Sequence, residues 1–113
     1  MADCIFCQIA SGDIPSDIVY SDDYVVAFRD LNPQAPTHVL VIPREHYSDM
    51  AEIAAHNPAL AGHLMTGVSA VVAADGLTGG WRLVFNTGPD SGQTVFHVHG
   101  HVLGGRYLEW PPG

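Results

Sequence analysis

The sequence predicts an α+β fold: a five-stranded antiparallel sheet with one long helix and one or two short ones. Three observations predict it. Five short apolar or β-branched runs are separated by turn residues, one segment has helical periodicity, and runs of strands surround that segment. The chain has 113 residues and is 47 % hydrophobic, which is usual for a globular protein, so we expect one domain over residues 1–113.

The first half of the chain predicts one helical turn and three strands. In order, these are a turn at residues 4–10 and strands at residues 18–21, 24–29 and 38–42. Asp22-Asp23 predicts a hairpin turn between the first two strands. Pro43 ends the third strand, since proline cannot donate a hydrogen bond to a sheet.

The second half opens with two predicted helices. Asp49 followed by Glu52 has the form of a capping box, which begins a short helix. Asn57 is predicted to cap a long helix that runs over residues 58–74, where apolar residues recur every three to four positions. Gly76 predicts the C-terminal end of this helix.

Three histidines at alternate positions distinguish the last predicted strand. This strand lies in residues 93–106, after a fourth strand at residues 81–85, and carries His97, His99 and His101. Side chains at alternate positions of a strand share one face, so we expect the imidazoles on one surface and the intervening apolar residues on the other. Imidazole titrates near neutral pH, attacks electrophiles and binds metals. The pattern therefore predicts an active-site strand.

The loop before the histidines adds a second feature. Residues 91–94, Ser-Gly-Gln-Thr, offer backbone N–H groups and hydroxyls, and such a concavity suits an anion. A nucleophilic imidazole beside an anion site favours phosphoryl or nucleotidyl transfer through a phosphohistidine, with water as the second acceptor. Because alternate histidines on a strand also chelate metals, a metal site remains an alternative.

Charge and hydropathy narrow the functional classes. The formal net charge is −8, with four arginines and no lysine, which argues against nucleic-acid and anionic-membrane partners. No apolar run approaches the ~18 residues of a membrane span. The N-terminus lacks the basic and apolar regions of a secretory signal, so we expect a cytoplasmic protein.

Cys4 and Cys7 are the only cysteines, and their C-x-x-C spacing is informative. In a reducing compartment this spacing favours a metal half-site or a redox pair over a structural disulfide. Two small buried thiols without a metal are the remaining alternative.

The run from His97 to Leu103, His-Val-His-Gly-His-Val-Leu, resembles the signature of the histidine triad (HIT) superfamily. Further segments resemble its Hint branch, the histidine triad nucleotide-binding proteins: residues 4–9, 28–38, 41–43, 62–65, 103–106 and 110–113. Gly100 departs from the pattern, since the branch usually has a larger apolar residue there. Its side chain would face away from the histidines, and we expect the glycine to loosen the packing behind the strand.

The resemblance implies a HIT-like fold, a meander sheet joined to that of a second copy in a homodimer, and a site for a purine nucleoside monophosphate or phosphoramidate. It implies hydrolysis of nucleoside 5′-phosphoramidates, which releases an amine and a nucleoside monophosphate, and no organic cofactor. Two alternatives stay open: hydrolysis of dinucleoside polyphosphates, as in another HIT branch, and a nucleotide-binding regulatory module whose catalysis is incidental.

The resemblance also implies residue roles. His99 matches the nucleophile, His38 and His101 match histidines that orient it and help to move protons, and Asp30 matches an acid that binds the ribose. The remaining substrate contacts are expected on the phosphate and leaving-group side, and at a tryptophan that approaches the partner's site: Asn86, Gly92, Gln93, Thr94 and Trp110.

A structural zinc ion is the one cofactor that the resemblance implies. Its ligands match Cys4, Cys7, His46 and His97, a closed site that would tie the N-terminal turn to the sheet. His97 would then serve the metal, while His99 and His101 serve the nucleotide.

Overall fold

A five-stranded antiparallel sheet carries three helices, as the sequence predicts. The computed structural model describes residues 4–113. Its elements are α1 (Ile5–Ser11), β1 (Ile18–Ser21), β2 (Val25–Arg29), β3 (Thr37–Pro43), α2 (Met50–His56), α3 (Ala59–Ala74), β4 (Trp81–Phe85) and β5 (Gly100–Gly104), with a 3₁₀ turn at Pro89–Ser91.

The strand order places the last strand inside the sheet. The order is β1-β2-β3-β5-β4. The first three strands form a meander, but β5 lies between β3 and β4, so the expected meander does not extend over all five strands, and β4 lies at the edge. In the antiparallel pair of β3 and β5, His38 is opposite Leu103 and Leu40 is opposite His101. Opposed side chains point to the same face, so His38 and His101 are diagonal neighbours on one face of the sheet.

Each face of the central strands has its own core. On one face, α3 packs its buried residues Leu64, Val68 and Val71 against alternate residues of β2, β3 and β5. On the other face, Phe6 of α1 packs against a second cluster: Val26, Phe28, Leu40 and Ile42. Because both faces are covered, β3 is buried along its whole length.

The helix predictions are largely confirmed. The side chain of Asp49 caps α2 by accepting a hydrogen bond from the Glu52 N–H at 2.9 Å. The expectation that Asn57 caps α3 is wrong, because Asn57 ends α2 and Pro58 stands at the N-cap of α3 without a side-chain bond. Gly76 follows the last turn of α3 with a φ of 61°, as a helix-terminating glycine does.

The strand bounds agree within one residue except in β5. The predicted stretch extends back to residue 93, but the observed strand begins at Gly100. Upstream, the chain makes other contacts: the Val98 N–H donates to the Tyr47 carbonyl at 2.8 Å, and the ring of His97 is buried beside the two cysteines. No helix within residues 4–113 combines the length and the apolar character that crossing a membrane requires.

Gly100 does not loosen the packing behind β5. A Cβ atom at this position would lie 2.8 Å from the Phe85 ring and 3.0 Å from Leu83, both on β4. The aromatic ring therefore occupies the space that a larger residue would need. The other part of the expectation holds, because Phe85 and Leu83 belong to the α3 side of the sheet, away from His101.

Candidate active site and metal centre

His38 and His101 form a hydrogen-bonded pair whose tautomers follow from their partners. The Gln34 N–H donates to His38 Nδ1 at 3.0 Å, so a neutral His38 carries its proton on Nε2. This Nε2 lies 2.9 Å from His101 Nδ1 and donates to it. His101 Nδ1 is therefore an acceptor, and the proton of a neutral His101 is on Nε2. The backbone N–H of Gln34 thus fixes which nitrogen carries the proton in both neutral rings.

His99 has the opposite tautomer. Its Nδ1 lies 2.8 Å from the His97 carbonyl oxygen, to which only a protonated Nδ1 can donate. The Nε2 lone pair of the neutral ring is then free to attack an electrophile. The ring is held between two neighbours: Phe6 contacts it edge-on at a centroid distance of 5.0 Å, and His101 lies at 4.9 Å.

Burial keeps His38 and His101 neutral. Desolvation, together with the nearby rings of His99 and His38, lowers the pKa of His101 to about 4. Desolvation also lowers the pKa of His38, although the Asp30 carboxylate opposes this change. At neutral pH both rings are uncharged, which is the state that the hydrogen bonds require.

Asp30 follows β2 directly and borders an apolar cavity. Its backbone N–H donates to the His38 carbonyl at 2.9 Å, and one carboxylate oxygen accepts from the Asn32 N–H at 2.8 Å. The cavity has a volume of about 280 Å³, near the lower end of small-molecule sites. Most of its lining is apolar, and α1, β2 and β3 contribute Ile5, Phe6, Ile9, Phe28 and Leu40 to it.

A second, larger depression is a less suitable candidate for a ligand site near the histidines. It has a volume of about 680 Å³ and is lined by the turn after α3 and by residues 105–107. No histidine lines either cavity, but the smaller one is lined by Phe6, which contacts the His99 ring, and by Asp30, whose carboxylate lies 3.5 Å from His38 Nε2. The smaller cavity, which shares Asp30 and Phe6 with the histidine cluster, is therefore the better candidate for a ligand that reaches His99.

Four potential metal ligands converge at the N-terminal end of α1: Cys4, Cys7, His46 and His97. The His97 Nδ1 lies 3.4 Å from Cys4 Sγ, 3.5 Å from Cys7 Sγ and 3.1 Å from His46 Nδ1, and Cys7 Sγ lies 3.4 Å from His46 Nδ1. A tetrahedral zinc ion separates its ligand atoms by roughly 3.6 Å for nitrogen and sulfur and roughly 3.3 Å for two nitrogens. The observed spacings fit this ion.

The orientation of His97 supports the same conclusion. Its Nε2 lies 2.8 Å from the Pro43 carbonyl oxygen, so the proton is on Nε2 and the Nδ1 lone pair faces the two thiols. The ring is fully buried, and its pKa is lowered to about 4 chiefly by desolvation. The His97 lone pair, the two thiols and the second imidazole together form the donor set of a Cys₂His₂ zinc site.

A second cluster, Asp30, His38 and His101, is close enough to suggest a metal but does not fit one. A metal at this place would need the Nε2 lone pair of His38. That nitrogen carries a proton, since Nδ1 accepts from the Gln34 N–H. The cluster is therefore a hydrogen-bonding network.

The loop after β4 contains four of the predicted substrate contacts. Asn86 follows β4 directly, Gly92 ends the 3₁₀ turn with a φ of 85°, and Thr94 is exposed. Gln93 is buried, and its amide group donates to the Ser48 carbonyl and accepts from the Gly88 N–H. Its side chain thus braces the loop, and its contact with substrate stays a prediction.

Trp110 lies in the C-terminal tail beside the edge strand. The Arg82 guanidinium carbon is 5.9 Å from the centre of its ring, and the side chain is 78 % exposed. Within one chain it packs against β4. That Trp110 approaches the site of a partner subunit stays a prediction.

Sequence reasoning missed four contributors to the site: three apolar side chains and one backbone N–H. Phe6, which contacts both His97 and His99, and its neighbours Ile5 and Ile9 could have been found from their apolar character around the C-x-x-C pair. The backbone N–H of Gln34 has no sequence signature, because every residue except proline carries the same donor.

Comparison with known proteins agrees with this geometry. The model of the HIT domain family matches residues 11–108. A HIT-like protein of Synechococcus elongatus is 55 % identical over 111 residues, which cover 98 % of this chain and 97 % of that protein. A 14 kDa zinc-binding protein of Zea mays is 44 % identical, over 96 % of this chain and 87 % of that protein.

The fold agrees with solved structures as well. A HIT family hydrolase from Legionella pneumophila superposes with a TM-score of 0.93 and 43 % identity, over 98 % of this chain and 100 % of that one. A histidine triad protein from Clostridium difficile superposes with a TM-score of 0.92 and 43 % identity, over 96 % of each chain.

Proposed function

Since the chain belongs to the HIT domain family, we propose that it is a nucleotide-binding hydrolase of the Hint branch. Its proposed reaction cleaves the P–N bond of purine nucleoside 5′-phosphoramidates. The observation that carries this proposal is the geometry of His99: one ring nitrogen donates to a fixed carbonyl, and the other keeps a free lone pair on a ring that contacts Phe6, a residue of the apolar cavity.

The proposed reaction has two displacements at phosphorus. In the first, His99 Nε2 attacks, an N–P bond forms, and the substrate's P–N bond breaks as the amine leaves with one added proton. In the second, water attacks the nucleotidyl-His99 intermediate, releases the nucleoside monophosphate and returns one proton. The sum is phosphoramidate plus water to monophosphate plus amine.

The neighbouring histidines support both steps. His101 presents an Nε2–H, and a donor of this kind stabilises the negative charge that develops on the phosphoryl oxygens. His38 holds His101 in this tautomer through the bond between its Nε2–H and His101 Nδ1. We assign proton movement around the leaving amine to this pair, with His38 acting through His101.

The cavity beside Asp30 suits a purine nucleoside. Its apolar walls match the faces of a purine base, and the Asp30 carboxylate at its border suits the 2′ and 3′ hydroxyls of a ribose. We place the phosphate towards Gly92 and Thr94, where the turn ends in a left-handed glycine. Asn86 and Gln93 are proposed to border the leaving group.

The cysteine and histidine cluster is proposed to hold zinc. When bound, the ion would cross-link α1 to the segments that follow β3 and precede β5. The zinc-binding name of the Zea mays relative supports this assignment. The ion takes no part in the displacement, because His97 presents its Nδ1 to the cluster and offers the substrate side only its carbonyl oxygen, which orients His99.

A homodimer is the proposed assembly. Within residues 4–113, β4 pairs on one side only, with β5, so its other edge has backbone groups available to a second copy. Trp81 on this strand is 41 % exposed, and Trp110 lies nearby. Sedimentation of the purified protein tests this point, and a monomer at micromolar concentration would contradict it.

A substrate panel tests the activity. We expect turnover of adenosine and guanosine 5′-phosphoramidates and much slower cleavage of diadenosine polyphosphates. Tight binding of the monophosphate without turnover of any amidate would instead indicate a regulatory nucleotide-binding module. Faster cleavage of the polyphosphates would favour the other branch.

The intermediate is tested by rapid mixing and intact-protein mass spectrometry. We expect one nucleotidyl group per chain, which is absent in His99→Ala although this variant still binds the monophosphate. His56→Ala, an exposed histidine at the end of α2, is the matched control and should behave as the wild type. Turnover retained in His99→Ala would exclude His99 as the nucleophile.

A further inference from the structure

The two cysteines of the metal centre both belong to one short element. Cys4 is the N-cap of α1, where its Sγ accepts from the Cys7 N–H at 3.4 Å, and Cys7 lies within the helix. The two histidines of the cluster come from the sheet side: His46 follows β3, and His97 precedes β5. An ion held by all four would therefore fix α1 against the sheet.

The same helix forms one wall of the cavity proposed for the purine base. Ile5, Phe6 and Ile9 of α1 line the cavity opposite residues of β2 and β3. Phe6 also stands edge-on to Phe28 at 5.6 Å and to His99 at 5.0 Å, so its position affects the cavity and the nucleophile together.

The helix α1 is short, so each of its anchors to the sheet matters for its position. It has seven residues, and a helix of that length is unstable by itself in water. Beyond the metal centre, its anchors include the buried ring of Phe6 and a bond from the Arg44 guanidinium to the Ala10 carbonyl at 2.8 Å. Ile9 and Ala10 also pack against the cluster around Phe6. A cross-link through the two cysteines would add to these anchors and restrict the position of the wall further.

We propose that the metal centre and the base cavity are energetically coupled: zinc at Cys4, Cys7, His46 and His97 positions α1 for the purine, and the bound purine tightens zinc. This inference rests on the proposed function, since it takes the cavity as the base site. Coupling between two sites is reciprocal, so each ligand must change the affinity for the other by the same factor. We expect a factor on the order of tenfold.

The test measures both sides of this cycle. Adenosine 5′-monophosphate is titrated into zinc-loaded and metal-free protein, and zinc affinity is measured by chelator competition with and without the nucleotide. We expect about tenfold tighter nucleotide binding with zinc, and an equal gain in zinc affinity with nucleotide. Nucleotide affinity that does not change with zinc would overturn the coupling while the proposed function stands.

Ribose 5-phosphate separates this coupling from global folding. It fills the ribose and phosphate positions but leaves the base cavity empty. If zinc acted only by keeping the protein folded, any ligand of the native state would raise zinc affinity equally at equal saturation. We expect ribose 5-phosphate to raise it less than twofold. An effect equal to that of the nucleotide would overturn the proposal, even if the metal-free protein unfolds.

Two exposed side chains of the cavity provide matched variants. Ile5 lies on α1 and is 49 % exposed, whereas Leu31 lies off α1 and is fully exposed. Ile5→Ala should lower the coupling factor, and Leu31→Ala should leave it unchanged. Equal coupling in both variants would overturn the assignment to the α1 wall. If zinc-loaded protein binds neither the nucleotide nor ribose 5-phosphate, the proposed function itself fails.

Discussion

Gly100→Ala should destabilise the protein, because the new methyl group meets the Phe85 ring. The Cβ atom would lie 2.8 and 2.9 Å from two ring carbons, whereas carbon atoms pack best at about 3.5–4.0 Å. The ring must therefore retreat by roughly 0.7 Å. Overpacking of this kind costs about 1–3 kcal/mol, and replacing a strand glycine returns about 0.5–1 kcal/mol. The expected net loss is about 1 kcal/mol.

Urea unfolding at a fixed excess of zinc measures this loss. With a slope of about 2 kcal/mol per molar urea, the midpoint should fall by roughly 0.5 M. Phe85→Leu removes the clashing ring atoms, so adding Gly100→Ala to that variant should cost little or stabilise it. A wild-type midpoint for Gly100→Ala, or the same loss in both backgrounds, would refute the packing argument.

Three further predictions concern the site and its supports. The pKa of His101 in the folded protein is about 4, below the ordinary 6.5, so the unfolded chain takes up this proton first as the pH falls. The free energy of unfolding should therefore decrease from pH 6.5 towards pH 4. In His101→Gln, the midpoint of urea unfolding should decrease less steeply over the same range. Asp75→Asn removes a paired acceptor from Arg29, at 2.9 and 3.0 Å, and should cost about 1–2 kcal/mol in urea unfolding with zinc content unchanged; an unchanged midpoint contradicts this. His97→Ala should lose zinc, measured by metal analysis, and lower the melting temperature; retained zinc would show that His97 is not a ligand.

The sequence predicts elements well where the signal is local. The capping box at Asp49 and the terminating Gly76 depend on a few consecutive residues, and the structure confirms both. The late start of β5 could not be predicted, because distant residues decide it: Tyr47 accepts the hydrogen bond of Val98, and the cysteines contact His97. The strand order has the same cause, since periodicity does not reveal which strand β5 pairs with.

The candidate site divides in the same way. Alternation singles out the three histidines, and the structure places His97 beside the two cysteines and His99 beside His101. The Arg29–Asp75 pair joins residues far apart in sequence. At 2.7 Å, Asp75 also accepts a hydrogen bond from the hydroxyl of Thr37, the residue before His38. Neither contact has a local pattern, so only the fold reveals them.

The late start of β5 has a consequence for protein engineering. If β4 and β5 paired for two or three more residues, the sheet would gain ladder hydrogen bonds, and a design method that rewards regular strands would favour that change. The His97 carbonyl would then be available to a neighbouring strand, in competition with His99 Nδ1. The regularised variant would gain thermal tolerance and lose the fixed tautomer of His99. Irregular backbone at residues 97–99 should therefore be kept when the rest of the chain is optimised for stability.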